Sequence, residues 1–118
     1  DKNREEDKPQ KIEIIGTGLV LGNNSFANSY KLSLLKCGYL ARVLEGYEPW
    51  AKIKALMKGV DIIVVVTSHV SHENMYRIKK EVTDIPVIYS EFDGANRIQL
   101  LISERLSSSP VEEEQEAL

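Results

Sequence analysis

The sequence is poor in cysteine, and it has no long apolar run. Cys37 is the only cysteine among 118 residues, so no disulfide forms within the chain, and this usage suits a reducing compartment. We therefore expect a cytoplasmic protein. No stretch approaches the roughly 20 apolar residues that cross a bilayer, and the polar start DKNREEDKPQ lacks a signal-peptide pattern. We accordingly expect no membrane partner.

A net positive charge is also missing. The formal net charge is −3, so the electrostatic signature of a duplex-binding domain is absent. A short basic strip remains, formed by Arg77, Lys79 and Lys80. We interpret this strip as a solvated helix face, with a protein or nucleic-acid interaction surface as the alternative. Nucleic acid therefore ranks below a small ligand among the expected partners.

Both ends of the chain differ in composition from its centre. Residues 1–10 are mostly charged, and residues 107–118 carry four Glu in five positions after a Ser-Pro hinge. Such segments bury too little apolar surface to offset the entropy lost on ordering. We predict disordered segments at 1–10 and 107–118, and one folded domain at 11–106.

Four strand-like runs alternate with four helix-like runs in this domain. The strands are predicted at 11–15, 39–44, 60–66 and 85–89, and helices begin near Ser25, Pro49, Ser71 and Asp93. This alternation predicts parallel pairing with right-handed connections. Strands one and three are the most apolar and belong in the centre, while Arg42 favours an edge position for strand two.

The predicted fold is therefore a single Rossmann-like three-layer α/β domain. Its four-stranded parallel sheet has the strand order 2-1-3-4. Helices one and four cover one face, and helices two and three cover the other.

A ligand site in such a sheet lies beyond the carboxyl ends of the strands, where the strand order reverses. For the order 2-1-3-4 this point lies between strands one and three. Two polar segments, residues 16–25 and 67–71, are expected to meet there. Both lead into helix N-termini, whose free amides and dipole favour an anion. The predicted ligand-binding residues are Gly16, Thr17, Gly18, Asn23, Asn24, Thr67, Ser68, Ser71 and His72.

The first of these segments has part of a nucleotide-binding pattern. Gly16 and Gly18 are placed between a strand and a helix, but GxGxxG fails because position 21 is Leu21 and Gly22 comes one residue late. Glu45 lies just past strand two, where a ribose-binding carboxylate would sit. We favour the alternative that the glycines serve a tight turn and that Glu45 is a solvated loop charge. No cofactor is identified.

The second segment contains the only two histidines of the chain, His69 and His72. A metal site is disfavoured, because three or four ligands are needed and no nearby Cys or Asp completes the set. General acid–base chemistry by His72 is an alternative, with Glu91 or Asp93 as its carboxylate partner. No Ser-His nucleophile with an orienting carboxylate is visible, so we assign no catalytic residue. An anion-binding role for His72 and a purely structural one stay open.

The segment from Asp61 to Leu101 resembles a known bacterial family. An apolar strand after Asp61 is followed by Thr67, by Ser71-His72, by Met75-Tyr76 and by Lys79. This pattern is similar to the family catalogued as domain of unknown function 2325. The resemblance implies the same fold and a bacterial origin, and it favours His72 over His69 as the site residue.

We therefore expect a non-catalytic regulatory or sensing module that binds a small anionic ligand, such as a nucleotide, and pairs as a homodimer. The first alternative is an enzyme that uses His72 as general acid or base. The second is an interaction module that works through the basic strip. The leading expectation requires that Gly18 and His72 lie at the same edge of the sheet.

Overall fold

The computed structural model describes residues 13–91 and 97–105. The described strands are β1 (Gly16–Gly22), β2 (Tyr39–Glu45), β3 (Ile62–Val66) and β4 (Val87–Ser90). The described helices are α1 (Ala27–Lys36), α2 (Trp50–Leu56), α3 (His72–Glu81) and the helical residues 97–105, here α4. The segments predicted to be disordered at 1–10 and 107–118, and the helix start predicted at Asp93, lie outside the described residues.

The four strands form one parallel sheet in the order β2-β1-β3-β4. The predicted α/β class and strand order are therefore confirmed. β2 is an outer strand, as Arg42 had indicated. The Arg42 guanidinium explains how a charge is accommodated there, because Nη1 donates to the carbonyl oxygens of Leu56 at 2.9 Å and Lys58 at 3.1 Å. These carbonyls lie at the C-terminal end of α2, where a cation is favoured.

Two apolar clusters cover the two faces of the sheet, because successive strand side chains point to opposite sides. On one face Val20 packs with Tyr30 of α1 and Ile98 of α4. On the other face Leu19 packs with Ile53 of α2 and with Ile78 of α3. The predicted distribution of helices, one and four against two and three, is confirmed.

The predicted position of the first strand is wrong. The pattern placed a strand at 11–15 and a polar loop at 16–25, whereas β1 runs from Gly16 to Gly22. Its centre, Leu19, Val20 and Leu21, is 0% exposed. Burial against both helical layers outweighs the low strand propensity of glycine. Gly18 also has a packing role, because a Cβ there would lie 2.5 Å from Leu34 Cδ2 of α1.

Among the described residues there is no helix with the length and apolarity that crossing a bilayer requires.

Candidate functional site

The structure brings six of the nine predicted ligand-binding residues to one edge of the sheet. Asn23 and Asn24 follow β1, Thr67 and Ser68 follow β3, and Ser71 and His72 start α3. These positions form the carboxyl edge.

The other three, Gly16, Thr17 and Gly18, lie at the opposite, amino end of β1. Gly18 is paired with Ile62, the first residue of β3. The strand from Gly18 to Gly22 spans about 13 Å at the usual rise per residue. The expected pocket with Gly18 beside His72 therefore does not exist, because the glycines belong to the strand itself.

At the amino end these residues hold Asp61 in place. The Thr17 amide donates to Asp61 Oδ2 at 2.9 Å, and the Asp61 amide donates to the Thr17 carbonyl at 2.7 Å. A Cβ on Gly16 would lie 2.5 Å from the same carboxylate oxygen. This contact assigns a structural role to the aspartate that precedes β3.

The crevice between the ends of β1 and β3 is covered by the chain itself. Gly46, just after β2, forms a parallel bridge with Val70. The Gly46 amide donates to the Gly22 carbonyl at 3.1 Å, and the Ser71 amide donates to the Gly46 carbonyl at 3.2 Å. A Cβ on Gly46 would overlap the His69 carbonyl, so glycine is required for this approach. The Gly46–Val70 bridge thus crosses over the end of β1, and a ligand at this edge must bind on the outer side of this crossing.

Asn74 fixes the loop that makes this crossing. Its side chain is buried, and Nδ2 donates to the carbonyl oxygens of Gly46 and Glu48, both at 2.9 Å. Ser71 Oγ accepts from the Asn74 amide at 3.1 Å, so Ser71 is the N-cap of α3 and the helix start predicted near this residue is confirmed. Asn74 stands where a capping box has Glu or Gln, and here it serves the neighbouring loop instead.

His69 and Glu45 form a hydrogen-bonded pair at the same edge. His69 Nε2 contacts Glu45 Oε1, and Glu45 Oε2 accepts from the Asn24 amide at 2.9 Å. The two side chains are 28% and 32% exposed. The ring of Tyr47 packs edge-on against His69, with centroids 5.2 Å apart and an 82° angle between the planes. These contacts join the segments that follow β1, β2 and β3.

The surroundings of Glu45 favour its ionised form. Burial alone raises the pKa of this carboxyl, but the Asn24 amide and His69 outweigh burial and hold the pKa below its ordinary value of 4.5. The carboxylate therefore accepts a hydrogen bond from the Asn24 amide. The sequence analysis had predicted that Asn24 would bind an external anion.

His72, the histidine that the sequence favoured, is exposed. Its side chain has no hydrogen-bond partner in the part of the chain that the structure describes. The missed signal lay in Glu45, because a carboxylate at the last position of β2 and a histidine three residues past β3 both reach the carboxyl edge.

The first turn of α3 leaves backbone donors free. The Asn74 and Met75 amides bond to the side chain and the carbonyl of Ser71. The amides of His72 and Glu73 have no acceptor within residues 13–91 and 97–105, as expected at a helix start.

Thr67, another predicted ligand-binding residue, makes a structural contact. Thr67 Oγ1 donates to the Ser90 carbonyl at 3.3 Å and thereby ties β3 to β4. Among the described residues, no three His, Cys, Asp or Glu side chains come together as a metal ion would require.

Comparison with curated proteins and with solved structures gives no match. One family model, described as "Uncharacterized protein conserved in bacteria (DUF2325)", matches residues 18–105. The match starts within β1 and ends at the last described residue of α4. It therefore covers Glu45, His69 and His72, and it extends the resemblance seen from Asp61 to Leu101 into the first half of the sheet. The chain belongs to this bacterial family.

Proposed function

We propose that the chain is a non-catalytic regulatory or sensing module that binds a small anionic ligand at the carboxyl edge of its sheet. The observation that carries the proposal is the start of α3, where the His72 and Glu73 amides lack acceptors among the described residues. Free amides and the helix dipole stabilise negative charge at this position. Ser68, in the turn after β3, and His72, in the first turn of α3, lie at the same edge and carry side chains that can donate.

The Glu45–His69 pair is an internal example of negative charge held by donors at this edge, and it already uses the Asn24 amide. A backbone amide and an imidazole already stabilise one carboxylate at this edge.

Tyr47 favours a ligand with a planar group. Its ring is 58% exposed and lies beside His69. An aromatic face of this kind stacks on a nucleobase. A mononucleotide, with its phosphate at α3 and its base on Tyr47, fits these contacts.

The test is a titration of the full-length ¹⁵N-labelled chain with inorganic phosphate and with adenosine monophosphate. We expect the largest amide shifts at His72 and Glu73, and thermal stabilisation that grows with ligand concentration. At a ligand concentration about 100 times Kd, the stabilisation is about 2.7 kcal/mol.

Two substitutions on α3 provide the matched comparison. His72→Glu adds a carboxylate beside the free amides and should weaken binding about ten-fold. Tyr76→Glu adds the same group one turn farther along the helix, at a side chain that is 61% exposed, and should leave binding unchanged. Absence of stabilisation at millimolar ligand, or shifts confined to other residues, would contradict the proposal.

The Glu45–His69 pair also favours a second candidate function, general acid–base catalysis. A carboxylate that accepts from an imidazole holds the ring in one orientation, as a general acid or base requires. This candidate replaces His72 of the sequence interpretation with His69, and Glu91 or Asp93 with Glu45. Asp93 lies outside the described residues.

This candidate is tested with p-nitrophenyl acetate and p-nitrophenyl phosphate as substrates. His69→Gln should reduce turnover about 100-fold, whereas His72→Gln should leave it unchanged. Equal turnover in both variants, or none above buffer in the unaltered chain, excludes His69 catalysis of these reactions.

We further propose that the protein acts as a homodimer in the cytoplasm. Leu32 of α1 and Leu40 of β2 support self-association, since they are 53% and 55% exposed at the outer β2 edge. Leu40→Glu should convert a dimer to a monomer in sedimentation experiments, and a monomeric unaltered chain would contradict this proposal.

A further inference from the structure

A groove of about 510 Å³ lies at the outer edge of β4, on the opposite side of the sheet from β2. Its lining includes Lys79 of α3, the connecting residues 82–86, Val87 and Tyr89 of β4, and Arg105 of α4. Because α3 and α4 pack on opposite faces of the sheet, a groove that touches both helices passes across the edge of β4.

The backbone of β4 offers hydrogen-bonding groups to this groove. Val87 is paired with Ile63, and the Ile63 amide bonds to the Pro86 carbonyl. In a parallel ladder alternate residues bond to a given neighbour, so Ile88 bonds toward β3 and the amide and carbonyl groups of Val87 and Tyr89 point outward. No described strand pairs with this side of β4. The edge is therefore open to an added strand.

The charge of the groove is positive. Lys79 Nζ lies 5.7 Å from the centroid of the Tyr89 ring, and Arg105 lies on the α4 side. Neither cation has a carboxylate at ion-pair distance within the described part of the chain. Asp84 is the single acidic residue in the lining among the residues that the structure describes.

The remainder of the basic strip lies apart from this groove. Arg77 is paired with Glu73 and Glu81 at 3.6 and 3.3 Å, and Lys80 lies over the ring of Tyr76. The three residues of the basic strip therefore do not form one surface. Lys79 faces β4, whereas Arg77 and Lys80 contact other residues of α3.

We propose that this groove binds an acidic, extended segment of a partner protein, which adds as a strand beside β4. The outward groups of Val87 and Tyr89 bond to the backbone of the segment, and its carboxylates pair with Lys79 and Arg105. A peptide satisfies both features, whereas a nucleic acid satisfies only the positive charge. This inference is independent of the ligand at the carboxyl edge.

The test measures fluorescence anisotropy of a labelled peptide that alternates Glu and Val, titrated with the full-length chain. Lys79→Glu combined with Arg105→Glu should weaken binding about 100-fold, about ten-fold for each charge. Lys31→Glu, an exposed position on α1 at the far edge of the sheet, should leave it unchanged. Methylation of alternate peptide amides should weaken binding about ten-fold, because it blocks strand pairing but keeps every charge.

Four outcomes would overturn the proposal. They are equal binding of a matched Lys-Val peptide, insensitivity to the charge reversals, insensitivity to amide methylation, and tighter binding of a single-stranded oligonucleotide than of the peptide. A separate experiment tests whether acidic residues of the chain itself compete with the peptide for the groove. If replacing Glu112, Glu113, Glu114 and Glu116 by Gln strengthens peptide binding about ten-fold, the occupant is this segment of the chain and not a partner. Thermal unfolding confirms that each variant is folded.

Discussion

Glu45 and His69 are hydrogen-bonded to each other across the end of β1, although β2 and β3 are not neighbours in the sheet. The backbone makes the same crossing through the Gly46–Val70 bridge. The segments after β2 and β3 thus meet over the strand that separates them. This geometry holds a carboxylate, an imidazole and a backbone amide together at the carboxyl edge.

The Glu45 carboxylate should make stability depend on pH. Its folded pKa lies below the ordinary 4.5, so its contribution is complete above pH 4.5 and is lost as the pH falls through the folded pKa. Glu45→Gln should lower the unfolding free energy by about 1 kcal/mol at neutral pH, and the difference should shrink in acid. Urea unfolding across this range measures it.

Glu13→Gln is the control, because that residue is exposed, and it should change stability by less than about 0.5 kcal/mol at every pH. A Glu45→Gln difference that stays constant into acid would contradict the assignment.

Gly46 should not tolerate a side chain. A Cβ there would overlap the His69 carbonyl and lie 2.8 Å from Val70 Cα, and both are backbone atoms that have no room to move. We expect Gly46→Ala to cost about 3 kcal/mol in chemical unfolding. Gly59→Ala is the comparison. Gly59 has φ +78° but nothing within 4 Å of the new Cβ, so it should cost about 1 kcal/mol. Equal losses of stability in Gly46→Ala and Gly59→Ala would show that the backbone is not closely packed around Gly46.

Asn74→Ala should destabilise the loop after β2. The change removes both Nδ2 bonds and leaves the Glu48 carbonyl without that donor. We expect a loss of about 2 kcal/mol in urea unfolding and faster hydrogen exchange at Tyr47. Asn28→Ala, at an exposed position of α1, should change stability by less than about 0.5 kcal/mol. If the two variants are equally stable, Asn74 does not hold the loop.

Arg42 and Arg77 should differ in their contribution to stability. Arg42→Met removes two bonds to the end of α2 and should cost about 1 kcal/mol. Arg77→Met removes exposed pairs within one helix and should cost less than about 0.5 kcal/mol. Thermal unfolding measures which variant loses more stability. A larger loss of stability in Arg77→Met than in Arg42→Met would contradict this prediction.

Several features of the fold were predictable because they depend on local chemistry. Ser71 caps α3 through its own hydroxyl, and Gly38 ends α1 with φ +95°, a conformation that favours glycine. The strand order was predicted from the apolar character of strands one and three, and it is confirmed although the residues assigned to strand one were wrong. Arg42 indicated an outer strand, because a central parallel strand is buried on both faces and would leave the charge without solvent.

The position of β1 was not predictable from local pattern. Ile14 and Ile15 resemble a strand more closely than GTGLVLG does, yet they are 43% and 58% exposed. What selects Leu19 to Leu21 is burial on both faces, by α1 and α4 on one side and by α2 and α3 on the other. The partner of His69 is likewise 24 residues away in Glu45, and the crossing that joins them arises only once the sheet has formed.

The bonds of Gly46 have one mechanical consequence. Its carbonyl receives the Ser71 amide and the Asn74 side chain, and its amide is anchored on Gly22. The start of α3 therefore cannot shift unless the end of β2 moves with it or these hydrogen bonds break. Occupation of that helix start would therefore change the constraints on the end of β2, although β1 separates β2 from β3 in the sheet.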